Sequence, residues 1–210
     1  AADLNTINGL TTGVVTVNST TVTGAVADVN TAYAANDAGT ITGLGNEAVT
    51  ITDTSVAADL LKTADSKTSG VVAVNSTTVT GSYTDVNDVF DANTAGTISG
   101  LGNEAVTLSG TNTVAQLNTI AGKTTGIVTA TISDNDMSTL DGITESGHAL
   151  TISVTDASVA ASNLNTLNGK TTVAVGVTSS TITGSYTDVL ASYAANTAGT
   201  ISGLGNEAIT

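Results

Sequence analysis

Residues 71–104, VVAVNSTTVTGSYTDVNDVFDANTAGTISGLGNE, form the unit that decides the fold of this chain. The same unit stands almost unchanged at residues 14–47 and more loosely at residues 173–207. A residue that recurs at the same phase in every copy is structural before it is chemical, so the repeat has to be defined first. Each copy predicts two short β-branched strands, an amphipathic helix, and a strand that runs into the turn GLGNE.

A second, shorter helical pattern separates the copies. It begins with AADLNTING at residues 1–9 and returns at residues 56–65, 114–122 and 159–169. Apolar residues three apart and a closing glycine predict short helices. Cutting at the strand starts gives seven repeats of 22 to 31 residues, at 14–39, 40–70, 71–96, 97–126, 127–148, 149–172 and 173–199. We therefore predict that residues 1–210 are a single repeat array with partial coils at both ends, a fragment of a longer protein.

The repeat length predicts the fold. A unit of two strands and one helix cannot bury its apolar face alone, whereas stacked copies can, and parallel strands with helical crossovers wind right-handed. We predict an α/β fold, a right-handed α/β solenoid of stacked β-turn-β-helix coils. A pure β-solenoid is the alternative, because helices this short are marginal without packing. The longer helices should face the core with Val26, Val29 and Tyr33, and in the other copies with Tyr83, Val86, Phe90, Tyr186, Val189 and Tyr193.

The composition excludes several classes of function. The formal net charge is −14 and the isoelectric point is near 4.1, so the surface repels nucleic acid and anionic membranes. The chain contains no cysteine, which excludes disulfides and cysteine zinc sites. No apolar run approaches the roughly 20 residues that span a bilayer, so membrane insertion is not expected.

Enzymatic motifs are missing as well. GLGNEA occurs three times, at residues 43–48, 100–105 and 203–208, and superficially matches a dinucleotide fingerprint. That fingerprint needs a following helix, whereas a strand-like run follows each copy here. His148 is the only histidine and is expected to be a turn residue in solvent, and no serine lies in a nucleophile motif. The chain is predicted to be non-enzymatic and to need no cofactor.

A possible calcium loop lies at residues 134–145, DNDMSTLDGITE. Positions 1, 3, 5 and 12 of an EF-hand-like loop are filled by Asp134, Asp136, Ser138 and Glu145. Thr139, however, stands where the loop requires glycine. The competing interpretation is another short helix with Met137 and Leu140 facing the core and Ser133 or Asp134 as its N-cap. The carboxylates Asp134, Asp136 and Glu145 remain the candidate metal ligands.

Threonine pairs recur in the predicted strands. Two residues apart, their hydroxyls share the solvent face, and stacking about 4.8 Å apart would align them in ranks. The candidate binding face comprises Thr21, Thr23, Thr50, Thr52, Thr78, Thr80, Thr181 and Thr183. Such ranks resemble the surface of β-helical ice-binding proteins and could read ice or polysaccharide, although high β-propensity alone explains threonine on an exposed strand face. Glu47, Glu104 and Glu207 recur at one turn and are expected to be solvated.

Three strings resemble the tandem repeats of very large secreted and cell-surface proteins of marine cyanobacteria. They are AADLNTING at residues 1–9, TGSYTDVNDVFDANTAGTISGLGNEAVTL at residues 80–108 and AASNLNTLNGKTT at residues 160–172. Those proteins are often described as haemolysin-type calcium-binding proteins. The resemblance implies an extracellular or cell-surface location and a role as spacer or adhesive. Calcium binding is not carried over, because the GGxGxDxUx nonapeptide is absent.

The leading hypothesis is a non-enzymatic structural repeat module, a rigid spacer or adhesive segment of a large extracellular surface protein. Its expected partners are neighbouring repeats or a second copy bound end to end. The alternatives are a module that binds ice or polysaccharide through the threonine ranks, and a calcium-stabilised repeat.

Overall fold

The computed structural model describes residues 1–210 and contains eight helices and seventeen short strands. The chain divides into two compact units, Ala1–Val106 and Thr107–Thr210. Helices alternate with strands along the chain, and the strand pairs of both units are parallel.

Unit 1 contains four helices. They are α1 (Ala2–Leu10), α2 (Val26–Asp37), α3 (Ala58–Lys67) and α4 (Tyr83–Ala95). Its strands are β1 (Val15–Thr16), β2 (Thr21–Gly24), β3 (Ile41–Thr42), β4 (Ala48–Ile51), β5 (Ser55–Ala57), β6 (Val72–Val74), β7 (Thr78–Gly81) and β8 (Ile98–Ser99). One sheet has the order β2-β4-β6-β8, while β1 pairs with β3 and β5 pairs with β7. The boundary between the units falls within β9 (Ala105–Asn112).

Unit 2 also contains four helices. They are α5 (Val114–Ala121), α6 (Met137–Leu140), α7 (Ala161–Asn168) and α8 (Tyr186–Ala198). Its strands are β10 (Val128–Ile132), β11 (Ala149–Thr151), β12 (Ser153–Val154), β13 (Ser158–Ala160), β14 (Val175–Val177), β15 (Thr181–Thr183), β16 (Ile201–Ser202) and β17 (Ala208–Ile209). Two sheets have the orders β12-β14-β16 and β13-β15-β17, and β10 pairs with β11.

The mixed α/β class is confirmed, but the predicted solenoid architecture is wrong. The strands are distributed over several separate parallel sheets instead of one continuous wall, and the eight helices also exclude the pure β-solenoid. Sequence spacing did not reveal how short the strands are. Several contain only two residues, and Gly43, with φ of 91°, turns the chain directly after β3. Such turns divide each repeat into short strands, and these strands pair in different sheets.

The helix and strand types are mostly as predicted, with one systematic difference. Val56 and Val159 were expected to begin helices, but each lies in a short strand that precedes the helix. Val56 pairs in parallel with Val79 and is 1% exposed, because a β-branched side chain fits a buried strand position. The helices begin after these strands, at Ala58 and at Ala161.

Burial confirms five of the nine predicted core-facing helix positions, while Tyr83, Val189 and Tyr193 are half-buried. In α2, Val26, Val29 and Tyr33 are all buried, and Val86 and Phe90 are buried in α4. The prediction is wrong for Tyr186, which is 80% exposed although it occupies the same position in α8 that Val26 occupies in α2. The periodicity is the same in both helices, so the difference lies in what covers them.

Candidate functional site

The eight threonines of the predicted binding face lie on or beside strands, and none is buried. The residues between their pairs point inward, as Val22, Val79 and Ile182 show. Parallel register sets which side chains lie next to each threonine. Thr23 is aligned with Thr50, but the other partners are alanine or serine, as in the pairs Thr21–Ala48, Thr50–Ala73, Ser55–Thr78, Ala57–Thr80, Ser158–Thr181, Ala160–Thr183 and Thr181–Ala208. Methyl groups and serines therefore interrupt the expected ranks.

The candidate calcium ligands are engaged with backbone and hydroxyl groups of the chain. Asp136 is the N-cap of α6, and its Oδ1 accepts from the Thr139 N–H at 2.9 Å and the Ser138 hydroxyl at 2.6 Å. These donors hold the pKa of Asp136 below its ordinary value. Asp134 instead accepts from the Val114 N–H at 2.7 Å, at the start of α5, and Glu145 is exposed. The structure contains no cluster of three or more histidine, cysteine or acidic residues that could hold a metal ion.

For residues 134–145, the alternative prediction of a short helix is correct, but its predicted N-cap residue is wrong. Met137 and Leu140 are buried in a short helix, as predicted. The N-cap is Asp136, neither Ser133 nor Asp134. Asp134 instead accepts from the first N–H of α5, whose N-cap is Thr113, because a loop carboxylate can reach the first free N–H group of a neighbouring helix. Two other helices have the same arrangement. Asp53 accepts from the Val26 N–H at 2.7 Å, and Asp156 accepts from the Met137 N–H at 2.8 Å.

The three GLGNE turns each contain a carboxyl group that binds the backbone of its own turn. Glu47 is 0% exposed and Glu104 is 2% exposed, so the expectation that these residues are solvated is wrong. Each side chain folds back on its own turn. The Oε2 atom of Glu47 accepts from Gly45 N–H at 2.7 Å and from Asn46 N–H at 3.2 Å. The other carboxyl oxygen of Glu47 is buried without a hydrogen-bond partner.

A tyrosine from the preceding helix completes two of these turns. The Tyr33 hydroxyl donates to Glu47 at 3.1 Å, and the Tyr193 hydroxyl donates to Glu207 at 2.7 Å. Burial is the main cause that raises the pKa of Tyr33 to about 12, and the hydrogen bond to Glu207 is the main cause that raises the pKa of Tyr193 to about 12. Phe90 stands at this position in the second copy and has no hydroxyl group.

The ionisation of Glu207 is set by the same contacts. Partial burial by itself raises the pKa of its carboxyl group, but the Gly205 N–H and the Tyr193 hydroxyl outweigh burial and hold the pKa below its ordinary value. Hydrogen bonds that donate to a carboxylate favour its charged form. The Glu207 side chain therefore acts as a fixed acceptor for its turn.

An asparagine from each long helix holds the other side of the turn. The Asn36 Oδ1 atom accepts from Leu44 N–H at 3.1 Å. Asn93 and Asn196 make the same contact at 3.1 Å with the leucines of their turns. Gly43 is required here, since its φ is 91° and an added Cβ would overlap the carbonyl oxygen of Val17. These turns bind their own backbone, and a strand follows each one, as predicted.

His148 is buried, not solvated as expected. Its side chain is 7% exposed, its Nδ1 accepts from the Val128 N–H at 3.1 Å, and its Nε2 has no hydrogen-bond partner. Burial lowers the pKa of His148, while the nearby charge of Glu145 opposes that shift. The sequence shows which position His148 occupies in the repeat, and the structure shows that this position is buried. HALTIS at residues 148–153 aligns with EAVTIT at residues 47–52, so His148 stands at the position of a buried glutamate.

Comparison with family models, with curated proteins and with solved structures gave no match for this chain. Among its helices, none has the length and hydropathy needed to cross a bilayer.

Proposed function

We propose that this chain is a non-enzymatic structural module, a rigid spacer or adhesive segment of a large extracellular surface protein. The observation that carries this proposal is the use made of the repeated polar side chains. Glu47, Asn36 and Asp53 each accept from a backbone N–H of the chain itself. Side chains that are occupied in this way supply rigidity, because each removes an unpaired backbone group, and are not poised to bind a substrate.

The net negative charge supports a role that does not involve binding to nucleic acid. A formal charge of −14 on 210 residues keeps unrelated acidic surfaces apart and favours dispersal in water. The extracellular or cell-surface location follows from the resemblance of the repeats to those of giant secreted proteins.

The two alternative functions have weaker support. Threonine ranks that bind ice or polysaccharide require continuous rows of hydroxyl groups, and the register places Ala48, Ala73 and Ala208 within those rows. Calcium stabilisation requires several carboxylates at one point, and Asp134 and Asp136 hold different helices.

Single-molecule force spectroscopy on the chain, held by its two ends, tests the spacer role. A load-bearing module unfolds in a few cooperative rupture events, since parallel strands and buried helices have to separate together. Gradual extension at low force would contradict the proposal. A variant with Gly43→Ala, which weakens one turn, should lower the force of one rupture event and leave the others unchanged.

Thermal melts followed by circular dichroism, with millimolar calcium and with chelator, test the calcium alternative. Coincident curves are expected, because a ligand raises the melting temperature only if it binds the folded state. A rise of several degrees with calcium that disappears when Asp134 and Asp136 are both replaced by asparagine would support the calcium-stabilised repeat. The side-chain oxygen of asparagine also accepts from an N–H, so this pair of substitutions retains an acceptor for the N-terminus of each helix.

A further inference from the structure

An open apolar groove lies beside α8 in unit 2. Its volume is about 390 Å³, and it is lined by Gly184, Tyr186, Val189, Leu190, Tyr193 and Ile209. Three of these side chains are strongly exposed, with 80% for Tyr186, 53% for Leu190 and 50% for Ile209. Exposed apolar surface gathered in a concavity is typical of a binding surface.

In unit 1 the position of Leu190 is covered by helix α3. Residues 183–209 align with residues 23–49 without a gap, which places Leu190 at the position of Asn30. The Asn30 amide donates to the carbonyl oxygen of Leu60 in α3 at 3.0 Å. Helix α2 packs between α1 and α3, whereas α8 packs against α7. The groove is therefore the place that α3 occupies in unit 1.

The edge of strand β17, beside the groove, is also a position that is covered in unit 1. Ile209 in β17 corresponds to Val49 in β4, which is 1% exposed. Val49 is aligned with Val72 of β6, and its N–H donates to the carbonyl oxygen of Val71 at 2.9 Å. A segment with the shape of α3 and β6 would thus cover both the groove and the edge of β17.

The chain carries such a segment in α1 and β1. Its first seventeen residues align without a gap with the segment that begins at Ala58 and includes α3 and β6. The structure supports this alignment, since Ala1 lies against Gly24 as Ala58 lies against Gly81. In this alignment α1 corresponds to α3, and β1 corresponds to β6.

Helix α1 presents uncovered apolar side chains at Ile7, which is 53% exposed, and Leu10, which is 83% exposed. The position of Ile7 is buried in the other short helices, where it is filled by Ala64, Ile120 and Leu167. Leu10 stands where the other copies carry the lysines Lys67, Lys123 and Lys170. Ile7 is thus half exposed at a position that is buried in the other short helices, and Leu10 is apolar where the repeat is charged.

We propose that the groove beside α8 and β17 binds the α1–β1 segment of a second copy of this chain, head to tail. Ile7 and Leu10 of one copy lie along α8 of the other, and the Ile209 N–H donates to the carbonyl oxygen of Val14. The contact is heterologous, so each dimer keeps one free groove and one free α1, and further copies can add. Docking is independent of the spacer role, because a monomeric chain can still bear load.

The groove beside α8 and the exposed side of α1 both differ from the contact between α2 and α3 within the chain. Between α2 and α3, Asn30 makes a polar contact and Lys67 forms an ion pair with Asp37 at 2.7 Å. At the two open faces, leucine replaces both polar residues, as Leu190 for Asn30 and Leu10 for Lys67. Each open face therefore carries a leucine where the internal junction carries a polar residue, so covering either face buries additional apolar surface. Because α1 and β1 align with the segment that covers this place in unit 1, a second copy is favoured over an unrelated small molecule.

Sedimentation velocity over a range of protein and salt concentrations tests this docking. The unaltered chain should form dimers and longer species, and more salt should strengthen association because two copies of charge −14 repel. Leu190→Asp and Leu10→Asp should each weaken self-association at least about tenfold, since a charge is costly to desolvate at an interface centre. Both positions are exposed, so the fold should tolerate the changes.

A mixture of the two variants gives the sharpest result. Leu190→Asp retains a functional α1, and Leu10→Asp retains a functional groove, so the mixture should form dimers of one copy each and nothing longer. Ile127→Asp adds the same charge at another exposed apolar residue, 55% exposed, and should leave association unchanged. The proposal is overturned by a chain that stays monomeric in all conditions, by association of Leu10→Asp alone through its groove, or by a mixture without dimers.

Discussion

The buried turn carboxyl group of unit 1 yields the most specific prediction about stability. Glu47 is 0% exposed, and its Oε2 accepts from two backbone N–H groups. The hydroxyl of Tyr33 is a third donor, at 3.1 Å. Glu47→Ala leaves these donors unpaired, at about 1 kcal/mol net for each. Removing the carboxyl group also relieves its own cost of burial, so the expected net loss in the free energy of unfolding is about 2–3 kcal/mol.

Hydrogen exchange of the unit 1 amides in the full chain measures the loss of stability in that unit. Urea unfolding supports this measurement. Glu207→Ala is the matched control, and it should cost about 1 kcal/mol or less because water reaches its half-exposed turn. Tyr33→Phe removes one donor and should cost about 1 kcal/mol, since Phe90 shows that this position accepts phenylalanine. Equal losses at Glu47 and Glu207, or a gain in stability on Glu47→Ala, would refute the reasoning.

Three further predictions concern glycine, histidine and tyrosine. Gly43→Ala should destabilise unit 1 by at least about 2 kcal/mol more than Gly39→Ala in urea unfolding, because both have positive φ but only Gly43 faces a carbonyl oxygen. Burial depresses the pKa of His148, so the neutral side chain stabilises unit 2 above pH 6.5, and this stability falls as the pH drops toward the lowered pKa. Hydrogen exchange at pH 7 and at pH 5 should show the loss of stability. The variant His148→Asn should show a smaller difference between the two pH values. In the folded chain Tyr33 and Tyr193 keep their protons up to about pH 12, so the stability that they contribute is complete below pH 10 and declines between pH 10 and 12. The absorbance of tyrosinate in single Tyr→Phe variants measures the deprotonation of each residue.

Much of the local structure could be predicted from the sequence. Repetition and apolar spacing located the helices, the inward strand residues and the strand after each GLGNE turn, because these depend on neighbours a few residues away. The candidate site was harder to predict. Asp134 and Asp136 are close in sequence and yet serve different helices, so a loop motif could not show that they diverge.

The sequence by itself determined the repeat, the α/β class and the positions of the turns, since propensity and periodicity act over short distances. Tertiary structure alone decided which polar residues are buried and how the strands are grouped into sheets. Glu47 and His148 looked like turn residues in solvent, but the fold removes both from water and pairs them with backbone N–H groups. Burial depends on what packs over a residue, which explains why Val26 and Tyr186, at the same position of two equivalent helices, are 3% and 80% exposed.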